Sequence, residues 1–214
     1  MSASEVQICN MALLKYGDVS ITSLNDDTKQ GRACKVLYPL CRDLMLYNHN
    51  WNFAVTRKDI SAELATTPAF QWSYAYTLPA DCMRVLQLYG TEDKWQVESN
   101  ELLTNKEEEI YIRYIQYVTE TGRMNPAFVQ CVATLLAAEL AVKIRGEKAV
   151  AMRLKFLEEL DVRWLPDAQR LNAIEGHRDL QTGEQALDQG NFSWQKYGHS
   201  GYADITDEIP SDTI

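Results

Sequence analysis

The sequence predicts a mainly α-helical fold: a bundle of about four helices, a small antiparallel β insertion between helices two and three, and an extended C-terminal arm. Three observations predict it. Apolar residues recur at helical spacing in segments bounded by capping residues and glycines. Period-two alternation is confined to the stretch between the second and third of these segments. Periodicity of either kind stops after Gly176.

The first helix opens at "SASEVQICNMALLKYG". Ser4 caps it, Val6, Cys9, Leu13 and Tyr16 share a face, and Gly17 ends it. "DVSITSLNDD" is a connection with Ile21 and Leu24 as anchors. A second helix runs from about Asp27 to Asn48, with Ala33, Val36, Leu37, Leu40, Leu44 and Tyr47 as its apolar face. Pro39 lacks a backbone donor and is expected to kink it. "TTPAFQWSYAYTLPADC" is rich in aromatics and proline and reads as extended and loop-like. "RVLQLYG", "KWQVESNELLT" and "EIYIRYIQY" read as strands, with Ser99-Asn100 as a tight turn. Their connections are too short for crossovers, so they pair antiparallel.

A third helix spans "NPAFVQCVATLLAAELAVKIRG". Asn125 caps it, Pro126 suits its first position, and Gly146 ends it. Phe128, Leu135, Leu136, Leu140 and Ile144 are its core candidates. The fourth runs to Gly176 and is expected to bend near Pro166. The division is therefore 1–50 (N-terminal helices), 51–122 (extended and β insertion), 123–176 (C-terminal helices) and 177–214 (extended arm).

At 214 residues the chain fits one large domain or one domain with appendages. Hydrophobic residues make up 46% and charged residues 24%, an ordinary globular composition that can fill a core. Net charge is −9, which argues against non-specific attraction to nucleic-acid phosphates. The charge is unevenly placed: from Glu175 to Ile214 two basic residues face eight acidic ones, so the tail is acidic and the body near neutral.

Cys9, Cys34, Cys41, Cys82 and Cys131 are scattered and odd in number. Cys34 and Cys41 lie roughly 10.5 Å apart along one helix, too far for a disulfide. Buried, reduced thiols are the expectation. The N-terminus lacks the basic and apolar regions of a signal peptide, and no apolar run approaches the ~20 residues of a membrane span.

Signatures of catalysis are scarce. There is no G-x-S-x-G, P-loop, H-E-x-x-H or dinucleotide glycine pattern. A cysteine nucleophile with His49 is weaker than His49 as a loop or capping residue. Glu107, Glu108 and Glu109 point in different directions and read as a solvated turn, not a metal site. "YIRYIQY" places Tyr111, Arg113, Ile115 and Tyr117 on one face, which could stack on bases. Cross-strand pairing explains them as well, and the acidic charge favours that. No cofactor, no metal and no enzymatic activity are expected. Trp51, Phe53 and Arg57 read as core packing where helix two enters the β region, and Pro79 and Asp81 as turn-forming groups.

Taken in order, "NMALLKYG…ITSLNDD", "LYPLCRDLMLYNHNWNFAVTR", "PAFQWSYAYTLPADCMRVLQLY", "WQVESNELLTN" and "FVQCVATLLAAELAVKI" resemble the tail tubular protein A family of short-tailed bacteriophages, over roughly residues 5–175. These are head-to-tail adaptors, or gatekeepers. The resemblance implies a structural virion protein in the phage neck, assembled in the host cytoplasm. It implies a homo-oligomeric ring, commonly of twelve copies, beneath the portal, carrying the nozzle on its far side. Genome DNA passes through the channel without specific binding, and no membrane is involved. Ring or nozzle contacts are then expected at Trp51, Phe53, Arg57, Phe70, Trp72, Tyr76, Pro79 and Asp81. Two alternatives are a tail-associated envelope-degrading hydrolase and a monomeric head-completion factor.

The arm carries "GNFSWQKYGHSGYADITDEIP", in which four rings punctuate a tail-like composition that usually lacks them. Such arms resemble those of other portal-binding adaptors. Phe192, Trp194, Tyr197 and Tyr202 are expected as portal anchors, with Asp204 and Asp207 pairing with basic portal groups.

Overall fold

The structure, a computed structural model, describes residues 3–60, 68–89, 94–107 and 109–175. Helix α1 (Glu5–Lys15) starts on a reciprocal cap. The Gln7 amide donates to Ser4 Oγ at 3.2 Å, and the Ser4 amide donates to Gln7 Oε1 at 2.7 Å. Asn10 then pins the following loop, since its side chain donates to the Ile21 carbonyl (2.9 Å) and accepts from the Ile21 amide (2.8 Å). That holds Ile21 in the core.

Helix α2 (Lys29–Asn48) is capped by Thr28 and continues through Pro39, which leaves the carbonyl of exposed Lys35 without its helical donor. Its first turn needs Gly31. A Cβ there would lie 2.5 Å from the Asp26 carbonyl oxygen. Alanine has the better helix propensity, by about 1 kcal/mol, yet Gly31→Ala is expected to destabilise by about 1–3 kcal/mol through overpacking against backbone. Urea unfolding decides it: a stabilised variant would show that the 22–28 loop yields without strain.

Helix α3 (Pro126–Arg145) is the central element and packs against α1, α2 and both later helices, α4 (Val150–Glu159) and α5 (Leu165–Ile174). Phe128, Leu135, Leu136 and Leu140 are buried as their spacing predicts, and Ile144 is half-buried. By length and composition α3 could cross a membrane (mean hydropathy 1.7), but 67% of that stretch is buried within the fold. Helix α4 runs into α5 through a π-turn, Leu160–Trp164. Pro166 follows immediately, and the widened turn accommodates a residue that cannot donate to the preceding turn. Glu159, just before it, accepts from Trp164 Nε1 (2.6 Å) and from Lys15 Nζ (3.1 Å), tying the turn to α1.

Between α2 and α3 the chain forms six strands: β1 (Val55–Ile60), β2 (Tyr74–Thr77), β3 (Cys82–Tyr89), β4 (Trp95–Glu98), β5 (Glu101–Thr104) and β6 (Ile110–Gln116). They make two three-stranded antiparallel sheets, β1-β6-β3 and β2-β5-β4. Ser99 (φ 47°) and Asn100 (φ 66°) form the two-residue turn joining β4 to β5, both in the left-handed region that such hairpins require. Residues of both sheets meet in an apolar cluster of their own, including Ile60, Tyr76, Leu78, Leu88, Leu102, Ile110, Ile112 and Tyr114. At the far end of β6, Ile115 joins the helical core instead, with Val55, Met83 and Leu86 packed beside it.

This corrects the expected fold class. The molecule is not a helical bundle with one small β insertion, because two sheets with a separate core constitute a β layer in their own right. Two strands escaped the sequence pattern for a physical reason. β2 is only four residues long and lies in a stretch rich in aromatics and proline that reads as a loop. β1 exposes Arg57, Lys58 and Asp59 in succession, so no alternation marks it.

Candidate interaction surfaces

Helix α2 has apolar residues around most of its circumference, and packing divides them into two faces. Cys34, Tyr38, Cys41, Met45 and Leu46 are buried in the helical core. Val36, Leu40, Leu44 and Tyr47, expected to face the core, are instead 52–62% exposed. Their spacing of four, four and three residues sets them in one stripe about 16 Å long at 1.5 Å per residue. At its N-terminal end the stripe runs into a groove of about 290 Å³, floored by Ala33, Val36 and Leu37 and rimmed by Lys29, Arg32 and Lys143. Lys29 reaches across to the Ile144 carbonyl (2.5 Å), and Arg32 pairs with Asp27.

Arg42 fixes which face turns inward. It is buried among the core positions of α2, where Nε donates to Asp43 Oδ1 (2.8 Å) and Nη2 to the Tyr117 hydroxyl (2.6 Å). Tyr117 in turn donates to Asp43 Oδ2 (3.3 Å), and the guanidinium lies over the Tyr38 and Tyr117 rings. A charged residue in phase with Cys34, Tyr38 and Met45 was the readable signal for this joint.

The residues expected to make ring or nozzle contacts separate into two groups. Trp51 is fully buried, with its indole N–H on the Met45 carbonyl (2.7 Å), and with Phe53, Phe128 and His49 it forms an aromatic cluster. Tyr76 is buried and donates to the Lys106 carbonyl (2.6 Å). Asp81 accepts from the Tyr114 hydroxyl (3.1 Å) and Gln116 Nε2 (2.8 Å), and the Pro79 carbonyl accepts from the Cys82 amide, so that turn is braced against β6. These groups build the scaffold. Arg57 is exposed on β1 opposite Arg113, Trp72 is half-buried, and Phe70 is 81% exposed. The expected anchors Phe192, Trp194, Tyr197, Tyr202, Asp204 and Asp207 lie outside the described residues.

A second joint was not legible in the sequence. Asn172 of α5 is buried and fully hydrogen-bonded. Its Nδ2 donates to the Asn50 carbonyl (3.0 Å) and approaches His49 Nε2 (3.3 Å), and its Oδ1 accepts from the Asn52 amide (2.8 Å). Asn52 Nδ2 donates to the Asn172 carbonyl (2.6 Å). Arg84 completes the joint, donating to Asn50 Oδ1 (2.5 Å) and lying over the Tyr47 ring. Burial, then the Arg84 charge, lowers the His49 pKa below its ordinary value of 6.5. The folded state therefore prefers neutral His49, and this contribution to stability is present above pH 6.5 and lost as pH falls through the folded value. Thermal unfolding followed from pH 7 to pH 5 is expected to show a falling Tm that His49→Gln flattens. An identical fall in that variant would exclude His49 as the titrating group.

All five thiols are free. Burial pushes Cys41 and Cys131 up to about 12 and Cys82 to about 11, the opposite of what a thiolate nucleophile needs. Among the described residues no group of three or more His, Cys, Asp and Glu side chains is placed to hold a metal ion. No protein-family model matches the sequence, and no curated protein matches it.

Proposed function

We propose that this protein is the adaptor in the neck of a short-tailed bacteriophage, assembled as a ring between portal and tail nozzle with genome DNA passing through its channel. The observation that carries the reading is the exposed face of α2. Monomeric proteins rarely leave a contiguous large apolar patch in water, and such patches mark association sites. The ordered resemblance of residues 5–175 to tail tubular proteins supplies the class of assembly.

In this reading the arm docks on the portal through Phe192, Trp194, Tyr197 and Tyr202, with Asp204 and Asp207 steering the encounter. Its 38 residues, 177–214, could reach roughly 130 Å at about 3.4 Å each. The test is to locate labelled protein in the virion and to measure portal binding after deletion of residues 190–214. A ring at the neck and lost portal binding are expected. A single copy at the neck would sink the ring, and unchanged affinity of the truncated chain would sink arm docking.

A further inference from the structure

We infer that the exposed face of α2 is a docking site for the C-terminal segment of the same chain, residues 190–212. The inference does not rest on the adaptor reading. It concerns the free chain, and its test contains no portal, so either can fail without the other. The face sets cations beside an apolar stripe. Val36, Leu40, Leu44 and Tyr47 stand exposed, and the groove at the N-terminal end of their stripe is lined by Lys29, Arg32 and Lys143 and by no carboxylate. Asp27 neutralises Arg32. Lys29 and Lys35 bond instead to the Ile144 carbonyl and to Asn25 Oδ1. Among the described residues Lys29, Lys35 and Lys143 enter no ion pair, so three positive charges flank the stripe without a carboxylate partner there.

Residues 190–212 carry the complement. Phe192, Trp194, Tyr197 and Tyr202 supply rings for the stripe. From Tyr202 to Asp212, Ile205 and Ile209 stand among four carboxylates, Asp204, Asp207, Glu208 and Asp212, with no cation. Charge excludes the rival occupants. A second α2 face would set lysines against lysines, which is unfavourable. The other exposed ridge, Val150, Leu154 and Val162, is balanced, because exposed Lys155 and Arg163 offset Glu158 and Asp161. The path is short. Asn172 is bonded to Asn50 and Asn52, just past the C-terminus of α2, so the chain passes Glu175 about one helical turn from that joint. From there to the groove is about 30 Å along α2 at 1.5 Å per residue. The 27 residues from 176 to 202 can span roughly 90 Å at about 3.4 Å each. The order fits too: the rings at 192, 194 and 197 precede the carboxylates, as the stripe precedes the groove on the way from Asn48 to Lys29. Seated there, the segment competes with any second chain for the same apolar face.

The experiment uses the full-length chain in a Cys82→Ser background, where the remaining thiols Cys9, Cys34, Cys41 and Cys131 are buried. Leu40→Cys places one reactive thiol in the stripe, and its alkylation by a maleimide is timed against Glu120→Cys, an exposed position outside α2. Adding Phe192→Ala, Trp194→Ala and Tyr197→Ala to the Leu40→Cys chain is expected to speed its alkylation about ten-fold, as for a face otherwise open in about one chain in ten. Adding Asp204→Lys, Asp207→Lys and Glu208→Lys instead should speed it several-fold. Neither set should change the rate at Glu120→Cys, and the protection of Leu40→Cys should be the same at every protein concentration. An unchanged Leu40→Cys rate in the ring variant, or an equal rise at Glu120→Cys, would overturn the inference. Protection that fades on dilution would overturn it in favour of a second copy. An effect of the rings with none from the carboxylates would remove the charge pairing that selects this occupant, and would overturn it as well.

Discussion

Replacing Trp51 by alanine is expected to lower stability by about 3–5 kcal/mol, the range for deleting a large buried aromatic. A domain of ordinary stability, about 5–15 kcal/mol, would keep only a fraction of it. Trp51 has no exposed surface, and its ring meets Phe128 edge-on at 5.1 Å and His49 at 4.9 Å. It also completes the C-terminus of α2. The Met45 carbonyl lies in the last turn, where helical donors run out, and the Trp51 indole N–H supplies one at 2.7 Å. Trp51→Phe keeps most of the packing and loses that hydrogen bond, so it should cost about 1–2 kcal/mol. Far-ultraviolet circular dichroism in urea reads both variants. A loss under about 1 kcal/mol for alanine would mean that the cluster collapses to fill the space.

Arg42→Ala is expected to cost about 3 kcal/mol, the lower end of the range for breaking a buried ion pair, because Asp43 retains some access to water. Three effects combine: Tyr117 loses its donor, Asp43 loses its cation, and the arginine stem leaves a void beside Tyr38. Arg42→Met fills much of that volume and should recover part of the loss. The consequence for association is larger than the stability figure suggests. Arg42 holds the rotation of α2 about its own axis, and that rotation keeps Val36, Leu40, Leu44 and Tyr47 outward. Arg42→Met chains should therefore fold yet self-associate less, as read by sedimentation velocity. Unchanged self-association of a destabilised Arg42 variant would show that α2 keeps its orientation without the arginine.

Local chemistry was the legible part of this chain. Ser4 and Asn125 cap helices because their side chains reach amides two or three residues ahead, and a single sequence displays that geometry. Ser99-Asn100 turns a hairpin for an equally local reason. The β layer was underread because β2 is only four residues long in a proline- and aromatic-rich stretch, and β1 has no alternation to advertise it. Asn172 was invisible because its partners lie about 120 residues away, and an asparagine in a helix has no distinctive signature.

The sequence by itself determined where α1 and α3 begin, which residues of α3 enter the core, the antiparallel sense of the strands and the uneven distribution of charge. For α2 it yielded one apolar face, although apolar residues stand on more than one side of that helix. Which side faces water was a decision of the tertiary structure. An apolar stripe records only that a residue prefers to leave solvent, and Val36, Leu40, Leu44 and Tyr47 express that preference as strongly as Cys34, Tyr38, Cys41 and Met45. The tie was broken by groups remote in the chain: Tyr117 reaching Arg42, and α1 and α3 packing on the opposite face. One α2 face was filled by this chain's own core, and the other stayed open because no further element of residues 3–175 covers it among those described.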